Sequence, residues 1–111
     1  MDYELRTIPG CPNSGPALEL FRQALAAEGA RVRILRVVEI TSDSEAEAHD
    51  FHGSPSFIAD GHDLFASKAA PAVTCRVYPS STGLVGIPSL EDLRTALRGP
   101  FLRARVKPLS Q

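Results

Sequence analysis

The stretch Pro9-Gly10-Cys11-Pro12-Asn13-Ser14 decides how this chain is read. It follows a short run, Leu5 to Ile8, and precedes an amphipathic helical pattern. Cys11 is therefore expected in the turn between a strand and the start of a helix. A helix N-terminus offers unpaired N–H groups and about half a positive charge, so a thiolate there is favoured over a thiol. The flanking Gly10 and Pro12 expose such a turn rather than bury it.

Upstream, Tyr3 to Ile8 reads as a first strand. Tyr3, Leu5 and Thr7 share one face; Glu4, Arg6 and Ile8 share the other. Downstream, Leu18, Phe21 and Leu25 recur at helical spacing, with Leu20 and Ala24 alongside, and Gly29 is a natural stop. The helix start has two readings. With Cys11 as the N-cap, Pro12 occupies the first helical position, where its missing N–H costs nothing, and Pro16 bends the helix. With Ser14 as the cap, Cys11 lies outside and the dipole acts on it more weakly. The first reading is preferred.

Arg31 to Glu39 reads as a second strand, and Val37-Val38 as buried on both faces, as in a parallel sheet. Ser42-x-x-Glu45 fits a capping box opening a short polar helix that ends near Phe51. The strand–helix–strand order implies a parallel crossover unit. Ser54-Pro55 leads into a third strand, Ser56 to Ala59, stopped by Asp60-Gly61. A proline at that entrance suits an edge, a bulge or a cis bond. Residues 61–74 read as a loop, Cys75 to Tyr78 as a fourth strand, and Ser80 to Gly83 as a turn. A last helix opens at Ser89 and closes at Gly99-Pro100. The alternation of Leu102, Ala104 and Val106 with Arg103, Arg105 and Lys107 reads as an edge strand or a frayed basic tail, with the tail preferred.

With 111 residues, 43% of them apolar and 23% charged, the chain suits one domain with a modest core. A formal charge of -1 argues against nucleic acid as the main partner. No apolar run approaches the ~18 residues of a membrane span. Met1-Asp2-Tyr3-Glu4 lacks a signal-peptide pattern, so a cytoplasmic location is expected. Two cysteines in a reducing compartment are reactive or metal-binding more often than a permanent staple. His49, His52 and His62 do not follow a zinc-site spacing, so no metal and no cofactor is assigned. His52 is noted as a cation that would lower the Cys11 pKa if it faced the thiol.

The order of elements, with a cysteine at the first strand-to-helix turn and a proline leading the third strand, resembles the thioredoxin fold. The resemblance implies a four-stranded mixed sheet flanked by three helices over residues 1–99, followed by a basic tail, 100–111. Ser54-Pro55 is then the counterpart of the fold's cis-proline, and Gly86 that of a glycine lying nearby. Pro9 to Asn13, Gly53 to Ser56, Cys75 to Tyr78 and Gly86 to Ser89 also resemble small bacterial thioredoxin-family proteins, some labelled alkylmercury lyase. The resemblance implies Cys11 and Ser14 as catalytic residues. It implies Pro12, Ser54, Pro55 and Gly86 as lining the substrate site, with the Ser54 backbone free to pair with an extended peptide. The expected partner is a protein or low-molecular-weight thiol or disulfide, and no membrane.

The departures shape the expected activity. Ser14 stands where a dithiol oxidoreductase has its second cysteine, so the motif is C-x-x-S and monothiol chemistry is expected. The lysine and Gly-Gly-Asp elements of monothiol glutaredoxins are missing. Cys75 is expected to pair near Asp60, remote from Cys11, as a buried structural residue. One alternative is mercury handling through Cys11 and Cys75. Ser14 stands where organomercurial lyases commonly have an acid, leaving Asp60 or Asp63 as proton donor. Another is a redox-inert binding module.

Overall fold

A sheet is built around a strand that has neighbours on both edges, and here that strand is the first. The computed structural model describes residues 1–65, 67 and 69–106, with side chains through residue 99. Along the chain run β1 (Asp2–Thr7), α1 (Ser14–Ala27), β2 (Ile34–Glu39), α2 (Asp43–Ala48) and β3 (Ser56–Ala59), then β4 (His62–Asp63), β5 (Tyr78–Ser80), β6 (Gly83–Val85) and α3 (Leu90–Val106). The main sheet has the order β2-β1-β3-β4. β1 and β2 are parallel, joined through α1, while β3 is antiparallel to both β1 and β4. The molecule is thus a mixed α/β structure, with a four-stranded mixed sheet and three helices among the described residues.

Side-chain alternation along β1 sorts the two faces. Tyr3 and Leu5 lie opposite Ala59 and Phe57 and bury themselves with Phe21 and Leu25 of α1 and Leu93 and Leu97 of α3. Edge-on aromatic contacts run through this core, from Tyr3 to Phe21 at 5.8 Å, Phe21 to Phe57 at 5.1 Å and Phe57 to Tyr78 at 6.1 Å. The other face is charged. Glu4 holds Arg6 at 2.9 Å and Arg36 at 3.4 Å, and Arg6 donates to the His49 carbonyl, tying in the end of α2. A second cluster, Ile40, Ala46 and Phe51, fills the space under α2.

The helix ends follow local chemistry. Asn13 is the N-cap of α1, so neither Cys11 nor Ser14 takes that place; no side-chain cap bond marks it. Pro16 then falls in the first turn, where an N–H has no intrahelical partner to lose. Gly29, at φ +62, ends the helix, with the Ala30 N–H bonded back to the Leu25 carbonyl. Ser42 caps α2 by accepting from the Glu45 N–H, and the Glu45 carboxylate reaches back to the Thr41 N–H. α2 stops at Ala48, three residues short of Phe51. Glu28 binds Arg94 and Arg98, at 2.7 and 2.9 Å, and so clamps α1 to α3.

Several elements differ from the sequence expectation. β2 begins at Ile34 rather than Arg31 and is an edge strand, which leaves Val37 49% exposed instead of buried on both faces. Asp60-Gly61 is a hairpin turn rather than a stop: both residues have positive φ, as a two-residue turn of type I′ requires, and β4 follows at once. The fourth strand of the sheet is therefore His62–Asp63. Cys75 to Val77 forms no strand of it, and Tyr78 opens a separate hairpin of β5 with β6. α3 passes through Gly99-Pro100 to Val106, so residues 100–106 are helical, neither strand nor frayed tail. Proline fixes a helical φ and removes one N–H, so a helix can traverse it at a cost. Residues 107–111 of the expected tail lie outside the described residues. No helix among the described residues is long and apolar enough to cross a membrane.

Gly53 carries the tightest backbone approach in this architecture. Its φ is +118, and a Cβ there would lie 2.8 Å from the Arg76 Cβ. The variant Gly53→Ala is expected to lose at least about 1–3 kcal/mol of stability, the usual cost of a side chain in such a conformation. Denaturant unfolding measures this, and an unchanged midpoint would contradict the packing described.

Candidate functional site

The site starts with a turn. Pro9 and Gly10 occupy the middle of a four-residue turn closed by the Cys11 N–H on the Ile8 carbonyl at 3.3 Å. Proline followed by a residue at φ +74 is the pattern of a type II turn, and only glycine takes that third position without strain. The turn carries Cys11 off the end of β1. The Cys11 carbonyl accepts from the Ser14 N–H at 3.3 Å, and the chain enters α1 from Asn13. Cys11 thus sits two residues before the N-cap, half-buried, with a free thiol.

The second wall is the loop from His52 to Pro55. The Ser54-Pro55 peptide bond is cis, and both residues are fully buried. They floor the site rather than offering a surface, while Pro12 is exposed at its rim. The Ser54 backbone is not free for a peptide partner, as the sequence suggested. Its N–H donates to the Thr74 carbonyl at 2.8 Å and its carbonyl accepts from the Arg76 N–H at 2.9 Å. Ser54 and Cys75 are thereby register partners in a parallel bridge. Cys75 is exposed and beside Ser54, not buried near Asp60.

Arg76 holds this arrangement, and sequence reasoning missed it. Only 8% exposed, it donates to Ser56 Oγ at 3.2 Å, to Asp63 Oδ2 at 2.7 Å and to the Phe65 carbonyl, with its guanidinium 5.0 Å from the centre of the Tyr78 ring. The Tyr78 hydroxyl donates to the Pro55 carbonyl. Burial pushes the Tyr78 phenol up, so it stays a neutral donor. The signal for Arg76 was its alternation with Tyr78 in Cys75-Arg76-Val77-Tyr78, which puts cation and ring on one side. Gly86 closes the third side: a Cβ there would fall 2.3 Å from Asn13 Nδ2, so the chain before α3 lies directly on the Cys11 turn.

The electrostatics lower the Cys11 pKa. Partial burial pushes the thiol up, but four donors outweigh it: the Ser54 hydroxyl, the Asn13 N–H, and the hydroxyl and N–H of Ser14. The net effect holds the thiol below its ordinary value. The Ser54 Oγ is buried and makes no hydrogen bond of standard geometry with any described group. His52 does not take the part considered for it. Its Nε2 lies 3.1 Å from Asp50 Oδ1, and it is not among the groups that act on Cys11. Asp60 accepts from the Asp2 N–H and Asp63 is held by Arg76, so neither carboxylate is free as an acid at the thiol. His49 caps the end of α2 and His62 lies exposed on β4. Beside Cys75 opens a cavity of about 440 Å³, walled by His52, Phe65, Thr74 and Tyr78 among others.

The chain matches no family model, and its comparison with curated proteins and with solved structures gives no match either. Removing the Ser54 hydroxyl leaves no buried group unpaired, so Ser54→Ala is expected to fold. It is expected to raise the Cys11 pKa and slow alkylation several-fold near neutral pH. An unchanged pH profile of alkylation would show that Ser54 does not serve the thiolate.

Proposed function

We propose that the chain is a thioredoxin-like protein performing monothiol thiol–disulfide chemistry through Cys11. The observation that carries this reading is a thiol held below its ordinary pKa by donors from two separate segments, the helix start and the residue before a cis-proline. The architecture is in keeping with it: a parallel strand–helix–strand unit, an antiparallel hairpin after the proline, and a last helix packed beside the first. Free cysteines fit a reducing, cytoplasmic setting.

In this mechanism the Cys11 thiolate attacks one sulfur of a disulfide substrate, of either protein or low-molecular-weight class. A bond forms between Cys11 Sγ and that sulfur, the substrate's disulfide bond breaks, and the other half departs as a thiolate that takes a proton from water. Ser14 stabilises the thiolate before attack and, being a hydroxyl, cannot resolve the product. Pro55 and Gly86 shape the walls of the site, and Pro12 its rim.

Incubation with glutathione disulfide tests this. Mass spectrometry should find one glutathionyl group on Cys11, formed faster than on a free cysteine at the same pH, and none at that rate in Cys11→Ser. Modification no faster than that of a free cysteine would leave a redox-inert binding module as the better reading.

A further inference from the structure

We propose that the open edge of β2 pairs with β2 of a second copy of this chain, antiparallel about a two-fold axis at Leu35. The pairing is independent of the chemistry at Cys11.

The backbone of β2 is open on one side. The Thr7 carbonyl accepts from the Ile40 N–H, and on the other edge of β1 the Asp2 carbonyl accepts from the Asp60 N–H. Successive residues of a strand turn their backbone groups to alternate edges. Tyr3, Leu5 and Thr7 therefore bond to β2, while Asp2, Glu4 and Arg6 bond to β3. In a parallel ladder a residue bonds to the two neighbours of the residue opposite it, not to that residue itself. Leu35, Val37 and Glu39 lie opposite Tyr3, Leu5 and Thr7, so their own N–H and C=O groups point away from β1. Among the described residues no strand takes them up, since β2 ends the sheet order. An unpaired row of this kind is a template for another strand.

The side chains identify that strand. Val37 is 49% exposed, and Val32, just before β2, is 44% exposed. Leu35 lies between them and lines a groove of about 270 Å³ with Leu25, Ala26, Ala30 and Val32. Charge is divided along the same edge. Arg31 stands at its start and Glu39 at its end, both exposed and neither in an ion pair among the described residues. Arg33 and Arg36, by contrast, are held by Asp2 and Glu4. A two-fold axis makes one surface serve both copies. Set at Leu35, it brings each Val37 to the Val32 end of the other copy, beside the groove, and each Glu39 to the other's Arg31. Both exposed valines leave water and both unpaired charges gain a partner. An axis at Arg36 would set two guanidinium groups against each other, and one at Val37 would set Glu39 against Leu35. A parallel strand in register would put like charges together at both ends.

Sedimentation velocity of the full chain tests this, read from about 10 μM to 1 mM because one strand edge makes a small interface. Wild type should pass from monomer to dimer as concentration rises. Val37→Lys should raise the dissociation constant at least about tenfold, since it sets a charge against an apolar groove. Glu39→Arg leaves arginines facing each other and Arg31→Glu leaves glutamates doing so, and each alone should weaken the dimer. An equimolar mixture of those two variants should form a heterodimer, because every arginine then meets a glutamate of the other chain. That recovery separates a lost contact from a folding defect. A wild type that stays monomeric throughout would overturn the pairing and leave the edge to an unlike strand. A dimer indifferent to Val37→Lys, or a mixture no tighter than its components, would put the contact on another face and overturn it too.

Discussion

The site depends on a buried arginine. A guanidinium removed from water is costly unless its donors are met, and one left unpaired destabilises strongly. Arg76 meets the requirement by reaching three separate places: the Ser56 hydroxyl on β3, the Asp63 carboxylate on β4 and the Phe65 carbonyl after it. Its own backbone N–H meanwhile holds the Ser54 carbonyl. One residue thus fastens the segment after the long loop to the loop that precedes β3. Gly53 permits the close approach because a side chain there would collide with the Arg76 Cβ. The Tyr78 hydroxyl, two residues on, completes the attachment at the Pro55 carbonyl.

This bracing gives a cysteine in a turn chemical significance. Cys11 lies beyond the N-cap, where the helix field is already fading. Its thiolate is favoured by specific donors, and one of them, Ser54, comes from the braced loop. Ser54 is fully buried with a hydroxyl that no described group satisfies, an arrangement that costs stability. The same hydroxyl is among the groups that lower the Cys11 pKa. Folding energy spent on core packing, Arg76 and the Gly53 contact is what holds the hydroxyl in position.

Much of this was legible from residue pattern. β1, α1 and β3 follow from apolar periodicity, the start of α2 from Ser42 and Glu45, and the cis bond was one of the readings open at Ser54-Pro55. The misses have physical causes. Asn13 caps α1 without a side-chain bond, so the usual chemical mark is missing. Asp60-Gly61 is a strong hairpin signal, yet the two-residue β4 after it carries too little alternation to read as a strand. Cys75 to Tyr78 alternates for a different reason: Arg76 and Tyr78 turn inward to a polar brace rather than onto a sheet. Treating that alternation as a sheet strand put Cys75 at the wrong end of the site. Gly99-Pro100 looked like a stop because glycine and proline disfavour helices, but α3 continues through them.

The ionisation of Cys11 itself is the most direct measure of whether this turn is a reactive centre. It is read from the pH dependence of alkylation in Cys75→Ser protein, where a single thiol reports. A midpoint below the ~8.5 of a free cysteine is expected, because the donors from Ser54, Asn13 and Ser14 outweigh burial. A midpoint at or above that value would contradict the assignment of Cys11 as an activated nucleophile.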